Sequence, residues 1–310
     1  MDWGMRARWR QLSRPGPTRR WMSQVKLQQK SAFKFLPARD SKRPMPRLSA
    51  NLRYLFRELP LADRFSEVAK FGFGAVEYPF PYGETPSFFM QALEDNNLQM
   101  VLINAPPGNW QSGDRGLAGI PGREQEFKES IEQAIYYATS LNCPNIHIMT
   151  GILPAGVAPE NALSVLAENL KFAADALANA SLTALIEPLN SIDMPGYLIN
   201  HSLQARALMA VVNSPNLRLL LNLYHAKTSG ENLEETIRSN LEVIHHVQVA
   251  GVPGRGEPNS GQVDFRPLFE LLDTLGYQGW MGCEYNPLGL TQEGLKWASI
   301  YGIGSPFQVV

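Results

Sequence analysis

The chain has 310 residues, 44% of them hydrophobic, and a formal net charge of −1. That suffices for a large buried core, as two ordinary domains or as one α/β barrel. No apolar run reaches the ~18 residues that span a bilayer, which argues against a membrane partner.

Residues 1–47 carry 13 of the 28 Lys and Arg but only Asp2 and Asp40 of the 29 acidic residues. The remainder, 48–310, holds 15 basic against 27 acidic residues, a net charge of −12. A basic, Ser-containing, acid-poor N-terminus with Trp3, Trp9, Trp21, Phe33 and Phe35 interspersed fits a mitochondrial transit peptide. A disordered extension or an alternative start fits the same composition. The expected location is therefore cytoplasmic, or mitochondrial where the extension acts as a transit signal. Because the basic residues sit on an appendage and the body is acidic, a nucleic-acid partner is not expected.

From Leu48 onward, short apolar segments alternate eight times with longer amphipathic ones. The expected strands are Leu48–Arg53, Ala75–Tyr78, Met100–Asn104, Asn145–Thr150, Leu182–Pro188, Leu217–Tyr224, His246–Ala250 and Trp280–Tyr285. Each precedes a helix-length segment. In "PGREQEFKESIEQAIYYATSL", for example, a Pro opens the segment and Phe127, Ile131, Ala134, Ile135 and Ala138 recur at helical spacing. Strands apolar on both faces and separated by helices imply parallel pairing with helical crossovers. Eight such units predict a single (β/α)8 TIM barrel over 48–310, with an open doubly wound sheet as the alternative. Cys143 and Cys283 belong to no CxxC or Cys/His cluster and are expected as buried thiols.

In a barrel, the C-terminal strand ends converge on one site. Those ends carry Asn51, Glu77, Asn104, His147, Glu187, Asn222 with His225, His246 with Gln248, and Glu284. Glu187 in "ALIEPLN" and Glu284 in "GCEYNP" lie within apolar strands, where a carboxylate needs a cation, a hydrogen-bond network or a raised pKa. Two carboxylates with a pair of amide oxygens would suit a divalent ion such as Mg²⁺ or Mn²⁺. For each residue singly, a satisfied capping or hydrogen-bonding role is the bland alternative, and for His201 it is the preferred one. The Gly-rich loop "PPGNWQSGDRGLAGIPG" is long enough to be a lid. "GVPGRGEPNSG" offers Arg255 and Glu257 for substrate binding, Arg255 by a bidentate pair with a carboxylate. No dinucleotide or Walker fingerprint follows any strand, so no nucleotide cofactor is expected.

Over 48–310 the chain resembles the hydroxypyruvate isomerase family of xylose-isomerase-like barrels. The motifs are Leu48-Ser49-Ala50-Asn51-Leu52, "GFGAVEYPFPY", "INAPPGNW", "GLAGIPGREQEF", "IEPLN", "HVQVAGVPGRGEP" and "GYQGWMGCEYNP". The resemblance implies an enzyme interconverting hydroxypyruvate and 2-hydroxy-3-oxopropanoate, with Glu187 and Glu284 as the acid/base pair. It also implies one divalent ion, held in related members by the two glutamates, an Asp on strand six and the Gln of "HVQ". Gln248 matches, but Asn222 stands where such members have "DIYH" or "DIFH". His225 and His147 are expected to assist at the substrate oxygens. The implied partner is a small hydroxy-keto acid, in a chain compatible with a homo-oligomer. Two alternatives stay open: a keto-sugar isomerase or epimerase of the same superfamily, and a weakened relative that binds a small hydroxy acid without turnover.

Overall fold

The computed structural model describes residues 46–304; the basic extension lies outside them, except that strand β1 already begins at Arg47. The strands are β1 (Arg47–Asn51), β2 (Ala75–Glu77), β3 (Gln99–Asn104), β4 (Asn145–His147), β5 (Thr183–Ile186), β6 (Leu217–Asn222), β7 (Ile244–Val249) and β8 (Trp280–Cys283). They form one closed parallel barrel in sequence order, and β1 pairs with β8 to close it. No helix among the described residues is long and apolar enough to cross a membrane.

The crossover helices are α1 (Leu61–Lys70), α2 (Pro86–Asp95), α3 (Glu124–Ser140), α4 (Pro159–Asn179), α5 (Ser202–Val212), α6 (Leu223–Thr228), α7 (Leu233–Asn240) and α8 (Arg266–Thr274). Their starts follow local chemistry. Pro86 and Pro159 occupy first-turn positions of α2 and α4, where a missing N–H costs nothing. Asn232 caps α7 by accepting from the Glu235 N–H. On α3, Phe127, Ile131, Ala134 and Ala138 are buried, as the spacing predicts, and they join the core between barrel and helices. His201 precedes α5, its N–H donating to Gln204 Oε1 at 3.1 Å, in keeping with its reading as a helix-start residue. Both cysteines are free and buried.

A small separate cluster, Leu102, Leu185 and Leu220, comes from β3, β5 and β6. The facing strands β1, β2 and β7 contribute polar groups instead. Glu77 is wholly buried and accepts from Ser49 Oγ at 2.7 Å, Asn51 Nδ2 at 3.2 Å and Gln248 Nε2 at 2.8 Å, with His246 Nε2 at 2.7 Å. Burial alone would raise the Glu77 carboxyl; the His246, Gln248 and Ser49 contacts outweigh it and hold the group below its usual value.

Most strands end earlier than their apolar runs suggest. β4 stops at His147 and β5 at Ile186, since the following residues leave the ladder for the loops. β6 ends at Asn222 because that side chain accepts from the Tyr224 and His225 N–H groups and starts α6 at once.

Candidate active site

The strand ends open on a cavity of about 820 Å³ whose walls include Arg53, Tyr54, His147, Glu187, Arg255 and Glu284. Glu187 follows β5 and Glu284 follows β8, so the barrel's closure brings together carboxyls 97 positions apart in sequence. With His225 of α6 they can each offer an atom within 4.8 Å of the others.

The two carboxyls have different surroundings. Glu284 Oε2 accepts from the Asn222 amide at 2.9 Å and forms a short ion pair with Arg255. Glu187 Oε1 has no hydrogen-bond partner, and its Oε2 lies 3.6 Å from His147 Nδ1. Burial pushes Glu187 well above the usual carboxylate range; Glu284 repels a second charge there and Arg255 acts against the rise. Glu284 is also raised by burial, with Arg255 as the main opposing influence. A pair so placed shares one proton most cheaply on Glu187, leaving Glu284 ionised against its guanidinium.

Arg255 is fixed from several directions. Its backbone has φ +56°, donates to Gly251 O at 2.9 Å and accepts from Asn286 N at 2.8 Å. Its guanidinium lies between the Tyr54 and Tyr224 rings, 5.0 and 4.9 Å from their centroids, with Asp193 at 3.8 Å. His225 is held just as firmly. Asn190 Oδ1 accepts from the Ile192 and Asp193 N–H groups, so its amide end is the one facing His225 Nδ1 at 2.6 Å, and the Asn190 backbone N–H adds a second donor at 3.2 Å. Nδ1 is therefore an acceptor, and Nε2 carries the hydrogen. Burial, Arg255 and His147 keep the ring neutral, and burial lowers His147 to about 3.

Residues 65–300 match the family described as a xylose isomerase-like TIM barrel. A putative hydroxypyruvate isomerase of Homo sapiens is 45% identical over 262 residues, 82% of this chain and 95% of the relative. A 2-oxo-tetronate isomerase of Cupriavidus necator is 41% identical over 257 residues, 83% of this chain and 99% of the relative. The chain belongs to the hydroxypyruvate isomerase family of xylose isomerase-like barrels. It is an isomerase of the aldose–ketose kind. Among solved structures, a protein titled AP endonuclease, family 2, from Brucella melitensis superposes with a TM-score of 0.81 at 44% identity, covering 83% of this chain and 99% of that one.

The divalent ion implied by the family resemblance meets a poor donor set in this enzyme. Asn222 Oδ1 is spent on the start of α6, and the end of the amide facing Glu284 is nitrogen, since a carboxylate can only accept. Gln248 Oε1 accepts from Asn222 Nδ2 at 3.2 Å, and its own amide donates to Glu77. His225 turns an N–H, not a lone pair, away from Asn190. Of the expected set, this leaves only Glu187 and the outer oxygen of Glu284 as donors, so the residues present do not fit the ion.

The other expected residues divide. His147 and Arg255 line the cavity, although Arg255 is engaged by Glu284. Glu257 lies outside the lining; its Oε1 accepts from the Leu288 N–H at 3.0 Å and so holds the loop after β8. Asn104 lines the cavity, whereas Asn51, Glu77 and His246 face one another beneath it. Tyr54, Asn190 and Tyr224, missed in the sequence, lie two to four residues beyond the ends of β1, β5 and β6, within reach of a search extended past each end; Asp193, also missed, lies seven residues beyond β5 and needs the structure to place it. In the long loop after β3, Trp110 packs on Phe80 at 5.6 Å and carries Arg115 at 3.8 Å, forming one wall of the cavity.

Proposed function

We propose that the enzyme interconverts hydroxypyruvate and 2-hydroxy-3-oxopropanoate through an enediol, with Glu284 as initial base and Glu187 as initial acid. The observation that carries this reading is the pair of adjacent carboxyls, Glu187 buried and Glu284 half-buried, the latter braced by Arg255 and Asn222 and the former without a cation of its own.

Glu284 takes a proton from C3, and the C–H electron pair becomes the C2–C3 double bond while charge collects on the C2 oxygen. The His225 Nε2–H and the Arg255 guanidinium are the groups suited to that charge. The C3 hydroxyl proton passes to the C2 oxygen within the enediol. As the C3 oxygen becomes the aldehyde, C2 takes the proton held by Glu187. C3 is oxidised and C2 reduced by the same electron pair, so no external redox partner is required. One proton exchanged with water resets the two glutamates.

With Arg255 committed to Glu284, the substrate carboxylate falls to Arg53. Its guanidinium lies 5.4 Å from the Phe80 ring centroid and 5.8 Å from that of Trp110, with no carboxylate partner among the described residues. The cavity also leaves room beyond a three-carbon acid, which supports a four-carbon 2-oxo acid as a second substrate.

The test compares both acids in an isomerisation assay with the wild type, Glu187→Gln and Glu284→Gln. Each variant is expected to lose about 10²–10⁴ in kcat. A loss below about tenfold in both would remove the acid/base assignment. Absence of turnover on either acid would favour the binding-protein alternative.

A further inference from the structure

We infer that this site excludes a divalent metal ion and uses Arg255 as its built-in cation. The inference rests on the isomerase reading only for its catalytic meaning; the exclusion itself rests on Asn222, Gln248, His225 and Arg255. An aspartate at position 222 could cap α6 with one oxygen and offer the other to an ion. Asn222 must give its single oxygen to the Tyr224 and His225 N–H groups, so an NH₂ occupies the place of that second oxygen and is bonded to Glu284 at 2.9 Å. The same NH₂ donates to Gln248 Oε1 at 3.2 Å, which closes the only oxygen Gln248 could lend.

Charge points the same way. The cation position beside Glu284 is already filled by the Arg255 guanidinium, which is ion-paired with that carboxylate. A divalent ion between the carboxyls would face that guanidinium at close range, and Arg255 is clamped by two rings and two backbone hydrogen bonds. In place of the ion, the oxygens of the substrate would meet the Arg255 guanidinium and the His225 N–H.

Calorimetric titration of the EDTA-treated and desalted enzyme with MnCl₂ tests this, alongside Asn222→Asp. The wild type should show no saturable binding in the micromolar range, and Asn222→Asp should bind Mn²⁺ at least about tenfold more tightly. Turnover of the wild type should be unchanged by EDTA. One Mn²⁺ bound per wild-type chain at micromolar concentration would overturn the inference. So would turnover lost to EDTA and restored by Mn²⁺, or an Asn222→Asp variant that folds, by circular dichroism, yet binds no more tightly than wild type. An enzyme that binds no Mn²⁺ and isomerises neither acid would defeat the functional reading alone. One that binds Mn²⁺ and isomerises would defeat only this inference.

Discussion

Glu187 and Glu284 are the same residue type in the same cavity, and their neighbours make them different reagents. Burial raises both, but only Glu284 is paired with a guanidinium. For Glu187 this has a consequence for stability. Its folded pKa lies above the ordinary carboxylate value of 4.5, so the stability associated with the protonated form is present at low pH and is lost as pH rises towards the folded value. Glu187→Gln cannot ionise, so it should melt above the wild type. The gap should open from about pH 4.5 and stop widening once the wild-type carboxyl is ionised. Each pH unit in that window is worth about 1.4 kcal/mol, or a few degrees of Tm in a chain of this size. Thermal unfolding of both proteins across pH measures it; a gap that narrows with rising pH would contradict the protonated state assigned to Glu187.

At the scale of elements, β1, β2 and β7 form a polar side of the barrel interior opposite the leucines of β3, β5 and β6. β8 accommodates this by carrying Gly282, where an added Cβ would collide with the Glu77 carboxylate. The carboxylate cannot step aside, since four side chains hold it. Gly282→Ala should therefore destabilise the barrel by about 1–3 kcal/mol, the usual range for overpacking, as read by urea unfolding; an unchanged midpoint would mean that the network yields. The eight elements and their order could be read from the chain because each strand is a short apolar run before an amphipathic helix. What Glu77 and His246 do could not. They are 169 positions apart, and a carboxylate at a strand end looks the same whether it faces a substrate or another side chain across the barrel. The Glu187 and Glu284 ends could be found by position, while the commitment of Arg255 to Glu284 depends on a loop conformation that leaves no periodic trace.

For the molecule as a whole, the sign of the charge changes with distance from the site. Residues 48–310 carry a net charge of −12, yet Arg53, Arg57, Arg64 and Arg255 line the cavity. An anionic substrate is repelled weakly from afar and attracted strongly near the mouth, where the separation is shorter than the ~10 Å screening length at 0.1 M salt. The near charges should dominate capture. Added NaCl is thus expected to lower kcat/KM for the acid several-fold while leaving kcat nearly unchanged, because Arg255 and Glu284 are directly ion-paired and only 17% and 12% exposed. Rate measurements over a salt series, with Arg53→Gln flattening the response, would bear this out; a kcat/KM that rises with salt would show that the acidic body controls access.

The proposed use of two carboxyls, in place of one that swings between carbons, also determines the fate of isotopes. With those roles, one of two deuterons placed on C3 of the substrate would leave on Glu284, while the hydrogen that arrives at C2 would come from Glu187 and ultimately from water. In D₂O the product should carry solvent deuterium at C2 and none handed over from C3, and because Glu187 occupies a fixed side of the cavity, the new stereocentre should form with one handedness.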